Sequence, residues 1–315
     1  MVDTSPTTVY FQTREWFEIW SDYAGFRNHP RLITFDSGKR VLLPLAERNF
    51  LGGLFKFRLL TPKGMGGFVT GDTLDKNEKG ELFTAFLGLK VDYGAANPYD
   101  RLTNEFGGFS GLDYTQVLDL SQGFPTIFSK WSRGHHSRTN KGHRQGIEVE
   151  PARNEEDWSA YFQLYRDTLE RWADTATNRY DWPLFLSMFK RQSANIKLWL
   201  ARFHGKLVSG ALCLYHNSHV AYWHSATARD SYKKLDATHV LQYHIIQDAC
   251  EKGFLLYDFM PSSGIPGVID FKSGFSAVKR PVHIYMSRAA RLSSAVRTGI
   301  RGNVIYRFLM RGTGF

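Results

Sequence analysis

Three strand-like segments separated by two-residue turns constrain the fold of this chain more than any other feature. The segments IKLWLARF, KLVSGALCLYH and HVAYWHSATA follow one another between Ile196 and Ala228. His204-Gly205 separates the first two, and Asn217-Ser218 separates the second and third. Because so short a turn places its flanking strands side by side in opposite directions, the segments predict three neighbouring antiparallel strands.

Helix and strand patterns surround these three strands. The order predicted for this half is a strand in IEVEPA, helices in EEDWSAYFQLYRDTLERW and WPLFLSMFKRQ, the three strands, a helix over 236–252 and a strand in FLLYDFM. The 236–252 helix has Leu241, Ile245 and Ala249 on one face, and Gly253, a common residue after a helix, follows it. Helices mixed with antiparallel strands are typical of an α+β domain.

The first half of the chain shows a similar order of elements. REWFEIWSDYAG has the spacing of an amphipathic helix, and Asp36-Ser37-Gly38-Lys39 lies between two strand-like runs, as a hairpin turn would. A helix over 77–91 and a strand in LDYTQVLDL follow. The sequence therefore predicts an α+β chain with two related domains, 1–145 and 146–286, each a mostly antiparallel sheet packed with helices. A basic helical tail covers 287–315.

The chain carries more basic than acidic side chains. Forty Lys and Arg against thirty Asp and Glu give the 315 residues a formal charge of +10 and a pI near 9.5. This balance favours polyanionic partners, such as nucleic acid, anionic lipid or phosphorylated metabolites. Two segments contain basic residues and no acid: 127–146, with five Lys or Arg and three His, and 287–315, with six Arg. We interpret the first as the junction between the domains.

Other classes of protein are disfavoured. The start, MVDTSPTTVYF, lacks the basic and apolar regions of a signal peptide, and the sequence has no run of 18 apolar residues, so a cytoplasmic location is expected. Cys213 and Cys250 lie in apolar segments without the spacing of a disulfide framework or a zinc site. Both are predicted to be buried thiols, and no metal or other cofactor is predicted.

The segment after the third of the three strands bears on the choice of acyl donor. The strand order suggests the acetyltransferase (GNAT) fold, in which a glycine-rich turn at this point directs backbone N–H groups at the pyrophosphate of acetyl-CoA. The corresponding segment here, ATARDSYKKLDATH, contains no glycine. Its side chains would hinder the close approach of a diphosphate to the backbone, so the sequence disfavours CoA as the donor.

The last 90 residues carry the most specific motifs. These are YWHSATA, which begins at Tyr222, LYDFM, which contains Asp258, and PSSGIPGVIDFKSGF, which ends in Asp-Phe-Lys-x-Gly-Phe. In this order of motifs the chain resembles the Fem-like aminoacyltransferases, which carry two acetyltransferase-like domains and join an amino acid from aminoacyl-tRNA to an amine. The resemblance covers most of 125–285, and the lack of a coiled-coil insertion is typical of the compact members of that family.

The resemblance implies that Lys272 is the catalytic lysine. A physical role fits this implication, because an amine that attacks an ester carbonyl creates an oxyanion, and an ammonium about 3 Å away in a dry site lowers that barrier by a few kcal/mol. Phe271 and Phe275 would keep water away from it. The alternative is a β-strand in which Phe271, Ser273 and Phe275 point inward and Lys272 points to solvent.

Two residues of the YWHSATA strand are further candidates. Strand alternation predicts that Tyr222 and His224 share one face and that Trp223 lies on the other. The resemblance implies that an aromatic residue of this strand faces the acceptor, which makes Tyr222 a substrate-binding candidate. His224 could relay a proton from the attacking amine, since histidine titrates near neutral pH. It could equally be a hydrogen-bonded core histidine among packed rings.

Four other residues are candidates for binding the acceptor. Arg179, in TNRYDWPLF, matches an arginine with which the family holds a phosphate of a nucleotide-linked acceptor. Pro183, beside Trp182, replaces the family's tyrosine four residues later, which argues against a nucleotide-sugar acceptor. A guanidinium here would suit any phosphate or carboxylate, and also a solvated helix end. Asp258, at a strand end, could orient an amine or cap a turn, and Ser262 lies in the loop that follows.

Binding of tRNA is predicted for several basic residues. Lys279 and Arg280 follow the proposed catalytic lysine closely and are assigned to the phosphates of the donor, as are Arg138 and Lys141 of the basic segment. The tail over 287–315 has three interpretations, which are a tRNA contact, a basic amphipathic helix on an anionic membrane, and a solvated face.

The sequence thus predicts an aminoacyltransferase that transfers an amino acid from tRNA to an amine of a muropeptide precursor or of a peptide or nucleoside natural product. One alternative is an acyl-CoA-dependent N-acyltransferase in exopolysaccharide or lipid biosynthesis. Another is a non-catalytic module that binds RNA or membranes through its basic surface.

Overall fold

Contacts between residues divide the chain into two units. The first comprises residues 1–113 and the chain from Pro281 on, and the second comprises Tyr114–Arg280. The sequence instead predicts domains over 1–145 and 146–286 with a tail over 287–315, and this division stays a prediction. The computed structural model describes residues 1–2, 5–50, 53–172, 179–228 and 235–287.

The first unit combines a sheet of mixed strand direction with helices and a separate hairpin. The sheet order is β1-β4-β5-β7-β14, with β6 paired to β7, and β2 pairs with β3 in the hairpin. The elements are α1 (Arg14–Ala24), β1 (Arg27–Asn28), β2 (Arg31–Thr34), β3 (Arg40–Leu43), β4 (Ala46–Phe50), β5 (Phe55–Leu59), β6 (Met65–Gly66), α2 (Lys76–Gly88), β7 (Tyr93–Ala96), α3 (Arg101–Asn104) and, from Pro281 on, β14 (Val278–Met286).

Local chemistry explains the predicted helix and hairpin of this unit. The Thr13 side chain accepts a hydrogen bond from the N–H of Trp16 at the start of α1, and Gly25 ends the helix with φ of +68°. In the β2–β3 turn, Ser37 and Lys39 both donate hydrogen bonds to the carboxylate of Glu78 in α2. These bonds hold the pKa of Glu78 near 2 and tie the hairpin to α2.

The second unit is a six-stranded sheet with helices on both faces. Its order is β8-β13-β12-β11-β10-β9, and the pairing is antiparallel between all neighbours except β12 and β13. The elements are β8 (Gly111–Asp119, from Tyr114 on in this unit), α4 (Phe124–Ser129), α5 (Arg133–Arg144), β9 (Ile147–Pro151), α6 (Glu155–Trp172), α7 (Trp182–Lys190), β10 (Ile196–Phe203), β11 (Lys206–His216), β12 (His219–Thr227), α8 (Ala237–Glu251), β13 (Leu256–Asp258) and α9 (Pro266–Ser273).

Alternation along β11 assigns the helices of the second unit to the two faces of its sheet. Ala211, Cys213 and Tyr215 share a core cluster with apolar residues of α8, and α8 in turn packs against α4 and α5. Gly210 lies against the ring of Tyr161 in α6, with no room for a side chain. Because successive residues of a strand point to opposite faces, α6 and α8 cover opposite faces of the sheet.

The structure confirms the predicted α+β class and the central run of three antiparallel strands. β10, β11 and β12 are joined at the predicted turns, where His204, Gly205 and Asn217 all have positive φ. The prediction of two buried thiols is only half right, since Cys213 is buried but Cys250 is half-buried. Cys250 lies near the end of α8, where the helix is less covered than at its centre.

Candidate active site

The neighbouring strands β12 and β13 of the second unit separate partway along β12. They pair in parallel only from His219 to Ala221 of β12, opposite Leu256 to Asp258. β12 continues to Thr227 and remains paired with β11 on its other edge. Within the described part of the chain, no strand pairs with the β13-facing edge of β12 beyond Ala221. The sheet therefore opens where β13 ends.

Lys272 lies on α9, the helix that follows β13 in the chain. Pro266 starts α9, a position that suits proline because the first N–H groups of a helix have no partner within it. Lys272 is only 5% exposed, and its Nζ donates to the carbonyl oxygen of Met260 at 2.7 Å and to Ser262 Oγ at 2.8 Å. These two oxygens offset the cost of removing a basic group from water.

The alternative of a strand through the Phe-Lys-Ser-Gly-Phe segment, with Lys272 pointing to solvent, is wrong. In α9, residues three and four apart share a face, so Lys272 turns inward together with Phe275, which follows the helix. Phe275 is buried and Phe271 half-buried, with ring centroids 5.0 Å apart. Both rings join the apolar cluster of this unit, as expected for residues that exclude water from a site.

The loop between β13 and α9, residues 259–265, is held by Asp258. This carboxylate is completely buried. Its Oδ1 accepts the N–H of Met260 at 2.7 Å and the hydroxyl of Thr115, and its Oδ2 lies 3.4 Å from His219 Nε2. Within the loop, Met260 and Ser263 have φ of +59° and +49°, a region that non-glycine residues seldom adopt.

Gln116 and His135 fix the C-terminal half of α9, and neither is identified from the sequence. Gln116 Nε2 donates to the carbonyl of Ile269 at 3.2 Å and to Ser273 Oγ at 2.9 Å. His135 Nε2 lies 2.9 Å from the carbonyl oxygen of Phe271, and its Nδ1 lies 2.9 Å from Ser132 Oγ. Burial lowers the pKa of His135, so this bridging ring is favoured in its neutral form.

Gly274 is required beside the His135 ring. A Cβ at Gly274 would lie 2.0 Å from a ring carbon of His135. The glycine of the Lys-x-Gly-Phe motif therefore allows the end of α9 to contact the start of α5. His135 belongs to the basic segment that the sequence assigns to the domain junction and to RNA contact, and in the structure its ring packs against α9.

His224 and Tyr222 do not share a face, in contrast to the prediction. A bulge shifts the register, so that Tyr222 lies opposite Cys213 and His224 lies opposite Leu212. Directly paired residues share a face and consecutive residues do not, so Tyr222 points toward the α8 side and His224 toward the α6 side. Burial raises the pKa of Tyr222 to about 12, which keeps its hydroxyl protonated.

The surroundings of His224 correspond to the core histidine that the sequence leaves open as an alternative. His224 Nδ1 lies 2.6 Å from the hydroxyl of Tyr161, whose pKa burial raises well above the usual range. The tyrosine therefore donates and the imidazole accepts. Burial lowers the pKa of His224 to about 3, and the rings of Tyr165 and Phe185 pack against it. A neutral imidazole whose Nδ1 already accepts a hydrogen bond is a weak proton acceptor.

The remaining candidates for acceptor binding lie near α7. Arg179 is exposed. Trp182, the first residue of α7, is half-buried, with its ring centroid 5.6 Å from that of Phe162 in α6. Between them in sequence, Tyr180 stacks on Trp223 of β12 at 5.4 Å. These contacts connect the start of α7 to the same strand that carries Tyr222.

The candidates for tRNA contact are all exposed. Arg138 lies on α5, and Lys279 and Arg280 lie at the start of β14. Lys141, also on α5, donates to the carboxylate of Asp236 at 3.0 Å. The tail beyond 287 and the residues 229–234 of the glycine-free segment lie outside the described residues, so the predictions for them stay predictions.

No group of three or more His, Cys, Asp or Glu side chains in the described ranges is arranged to hold a metal ion. None of the helices described here is both long enough and apolar enough to cross a lipid bilayer.

Comparisons with known proteins agree with the fold seen here. The sequence profile of the Acetyltransferase (GNAT) domain matches residues 132–273, from the start of α5 to the end of α9. No curated protein sequence matches the chain. The crystal structure of FemX is similar with a TM-score of 0.70 at 15% identity, and the match covers 95% of this chain and 96% of FemX.

Two other solved structures share the fold with lower scores. One is the C-terminal domain of a proposed lysylphosphatidylglycerol synthetase from Agrobacterium fabrum, with a TM-score of 0.54, 13% identity and coverage of 87% of this chain and 91% of that one. The other is L-PGS from Bacillus licheniformis, with a TM-score of 0.52, 12% identity and coverage of 91% and 96%. The predicted acetyltransferase-like fold and the resemblance to Fem-like proteins are thus confirmed.

Proposed function

We propose that this chain, which contains a GNAT-type acetyltransferase domain, is an aminoacyltransferase that moves an amino acid from aminoacyl-tRNA to an amine. The observation that carries the proposal is the buried Lys272, whose Nζ is fixed by two hydrogen bonds just beyond the end of β13. β12 continues past the end of β13 without that partner. A basic side chain oriented next to an opening in the sheet is suited to stabilise an anion that forms there.

The reaction requires such a group because charge develops on the ester carbonyl. The amine nitrogen bonds to the carbonyl carbon, and the carbonyl oxygen becomes an oxyanion. The C–O bond to the ribose of tRNA then breaks, the amine loses a proton, and the departing ribose oxygen gains one. A fixed ammonium beside the oxyanion contributes a few kcal/mol to lowering the barrier. Phe271 and Phe275 keep the surroundings apolar, which strengthens this interaction.

The electrostatics near α8 favour a tRNA donor over CoA. In GNAT-type domains a helix N-terminus at this position receives the diphosphate of CoA. Here Asp236 places a carboxylate at the N-terminus of α8, where it accepts from Lys141. A diphosphate would have to displace this ion pair to reach the N–H groups at the start of α8. Exposed basic residues elsewhere, including Arg138, Lys279 and Arg280, supply contacts to a nucleic-acid backbone.

The acceptor is proposed to be an amine that enters from the side of α7 and the free part of β12. Arg179 and Trp182 would contact it, with Ser262 orienting both the acceptor and Lys272, whereas Tyr222 points to the opposite, α8 side of the sheet. The names of the similar structures include FemX and a synthetase of lysylphosphatidylglycerol, and the second name describes an amino acid attached to a phospholipid. A cell-envelope precursor is therefore the first class of acceptor to test.

The test is to incubate the protein with a pool of charged tRNAs and with amine acceptors drawn from muropeptide precursors and small peptides. We expect an amide product, detected by mass spectrometry, that disappears when uncharged tRNA replaces charged tRNA. The Lys272→Met variant should form the same product at least a hundredfold more slowly. A Lys206→Ala variant, which changes an exposed lysine at the start of β11, should match the wild type. Absence of product with every pair, or a wild-type rate for Lys272→Met, would contradict the proposal.

A second candidate function is an acyl-CoA-dependent N-acyltransferase serving exopolysaccharide or lipid synthesis. The match of residues 132–273 to the acetyltransferase domain profile favours it. Titration calorimetry with acetyl-CoA separates the two candidates. Micromolar binding of CoA, together with acyl transfer from it, would favour the second, whereas no detectable heat would favour tRNA.

A further inference from the structure

Asp258 and Lys272 bind the two backbone polar groups of the same residue. Asp258 Oδ1 accepts the N–H of Met260 at 2.7 Å, and Lys272 Nζ donates to the carbonyl oxygen of Met260, also at 2.7 Å. The exposed fractions of these side chains are 0% and 5%. A buried carboxylate and a buried amine thus hold the two backbone polar groups of Met260.

Met260 adopts a backbone conformation that these two hydrogen bonds stabilise. Its φ of +59° lies in the left-handed region, where a residue with a side chain is disfavoured by about 1 kcal/mol or more. Such a conformation persists only where the surrounding structure determines it. The N–H of Met260 donates to the Asp258 side chain two residues earlier, which is the geometry by which an Asp side chain stabilises a tight turn.

Asp258 is itself fixed by the two strands that flank β13. The hydroxyl of Thr115 in β8 donates to its Oδ1, and His219 Nε2 in β12 lies 3.4 Å from its Oδ2. Thr115 is 0% exposed and His219 is 2% exposed. A carboxylate with no accessible surface, in contact with both neighbouring strands, is suited to fix the position of other groups. Asp258 is poorly placed to orient a substrate amine, and its bond to the Met260 N–H corresponds to the alternative prediction that it caps a turn.

We infer that Asp258 is a positioning residue, which sets the location of the Lys272 amine through Met260 and so acts on the reaction without touching the substrate. The inference rests on the proposed role of Lys272. A lysine side chain has many rotamers, and its Nζ stays in one place because its acceptors do. If Met260 relaxes, one of those acceptors moves, and a displacement of about 1 Å at a catalytic group can cost a hundredfold in rate.

The kinetic test compares Asp258→Asn with two other variants. Asp258→Asn keeps an oxygen for the N–H of Met260 but removes the charge and one acceptor site, and we expect kcat to fall at least tenfold with KM within about twofold. Thr115→Val, which preserves side-chain volume, should lower kcat several-fold and serves as the second variant if the first does not fold. Tyr257→Phe, at the neighbouring buried position, removes a hydrogen bond to Gln242 and should change kcat less than twofold.

Combining variants separates positioning from a general structural effect. If Asp258 acts through Lys272, adding Asp258→Asn to Lys272→Met should slow the residual reaction less than twofold, because the group being positioned is already gone. A further tenfold loss in the double variant, or a wild-type kcat for Asp258→Asn alone, would overturn the inference.

An assay without turnover keeps this inference distinguishable from the proposed function. Brief labelling with acetic anhydride, followed by peptide mass spectrometry, reports how accessible each lysine amine is. In the wild type, Lys272 should be labelled far more slowly than Lys206. Asp258→Asn or Thr115→Val should raise the labelling rate of Lys272 relative to that of Lys206 at least fivefold. An unchanged ratio in both variants would overturn the positioning role. If no donor and acceptor pair reacts, the proposed function fails, yet this ratio still decides whether Asp258 holds Lys272.

Discussion

Lys272 and His224 are ionisable side chains of the same unit that lie in opposite chemical environments. The Lys272 amine meets two oxygen acceptors, whereas the His224 imidazole meets a tyrosine hydroxyl that donates to it. The first environment suits a group that bears hydrogen and positive charge, and the second suits a neutral ring. Burial alone therefore does not mark a catalytic residue, and the donor or acceptor character of the partners decides what the group can do.

The largest expected effect is a difference in turnover between substitutions at these two positions. Lys272→Met keeps the length of the side chain and removes the charge, so kcat should fall at least a hundredfold, the usual cost of losing an oxyanion-stabilising donor. His224→Gln keeps an acceptor for Tyr161 and should alter kcat less than threefold. Steady-state kinetics measure both variants. Comparable losses of kcat would contradict the proposed difference in role between Lys272 and His224.

A steric clash introduced at Gly274 tests whether α9, the helix that carries Lys272, is stabilised by its packing against His135. Gly274→Ala brings a Cβ against the His135 ring and should lower the free energy of unfolding by about 1–3 kcal/mol. Chemical denaturation measures this change. Adding His135→Ala should remove the clash, so the double variant should be more stable than the sum of the two single changes predicts. Strict additivity would mean that the two residues do not interact.

The pH dependence of stability tests whether the His224 ring is neutral in the folded protein. Burial holds the pKa of His224 and His239 near 3, below the value of about 6.5 in an unfolded chain. Between pH 6.5 and 3 the unfolded state therefore binds protons that the folded state does not, so stability is full above pH 6.5 and falls as the pH drops through this window. Each histidine contributes at most about 1.4 kcal/mol per pH unit. Denaturation measured from pH 7 to pH 4 should show a shallower slope for His224→Gln, and an unchanged slope would contradict the assignment of a neutral, half-buried ring.

The smallest expected effect concerns the exposed basic residues, which lie outside both environments. Arg138→Ala should raise KM for charged tRNA a few-fold, leave kcat unchanged and reduce the salt dependence of binding by slightly less than one unit of the log–log slope. Lys206→Ala provides the control for a general loss of charge. An unaltered salt slope would remove Arg138 from the tRNA contact.

The sequence predicts the strands and helices around the site better than the orientation of the side chains within it. Short turns and helix stops at Asn217 and Gly253 are local signals, and the strands and helices that they delimit appear where predicted. The bulge in β12, which separates Tyr222 from His224, depends on pairing with β11 and has no local signal. The helix of the Phe-Lys-Ser-Gly-Phe segment is short enough to resemble a strand by alternation alone.

The contacts that hold α9 and Asp258 are long-range, which explains why the sequence does not reveal them. Gln116 and His135 lie more than 130 residues before the α9 groups that they bind. Met260 carries no signal of its positive φ, since it is neither glycine nor asparagine. Asp258 is recognisable as a residue at a strand end, but its complete burial follows from its neighbours in β8 and β12.

The most direct test of the central claim compares two ligands on wild-type protein and Lys272→Met. One ligand is a phosphonate that joins a short RNA acceptor end to the amine and imitates the tetrahedral oxyanion, and the other is a stable amide-linked aminoacyl RNA that imitates the ground state. Because catalysis depends on binding that is stronger in the transition state, the substitution should weaken the phosphonate at least a hundredfold and the amide ligand less than threefold, as measured by equilibrium titration. Equal losses for both ligands, or no loss for either, would contradict the role of Lys272 as the group that stabilises the oxyanion.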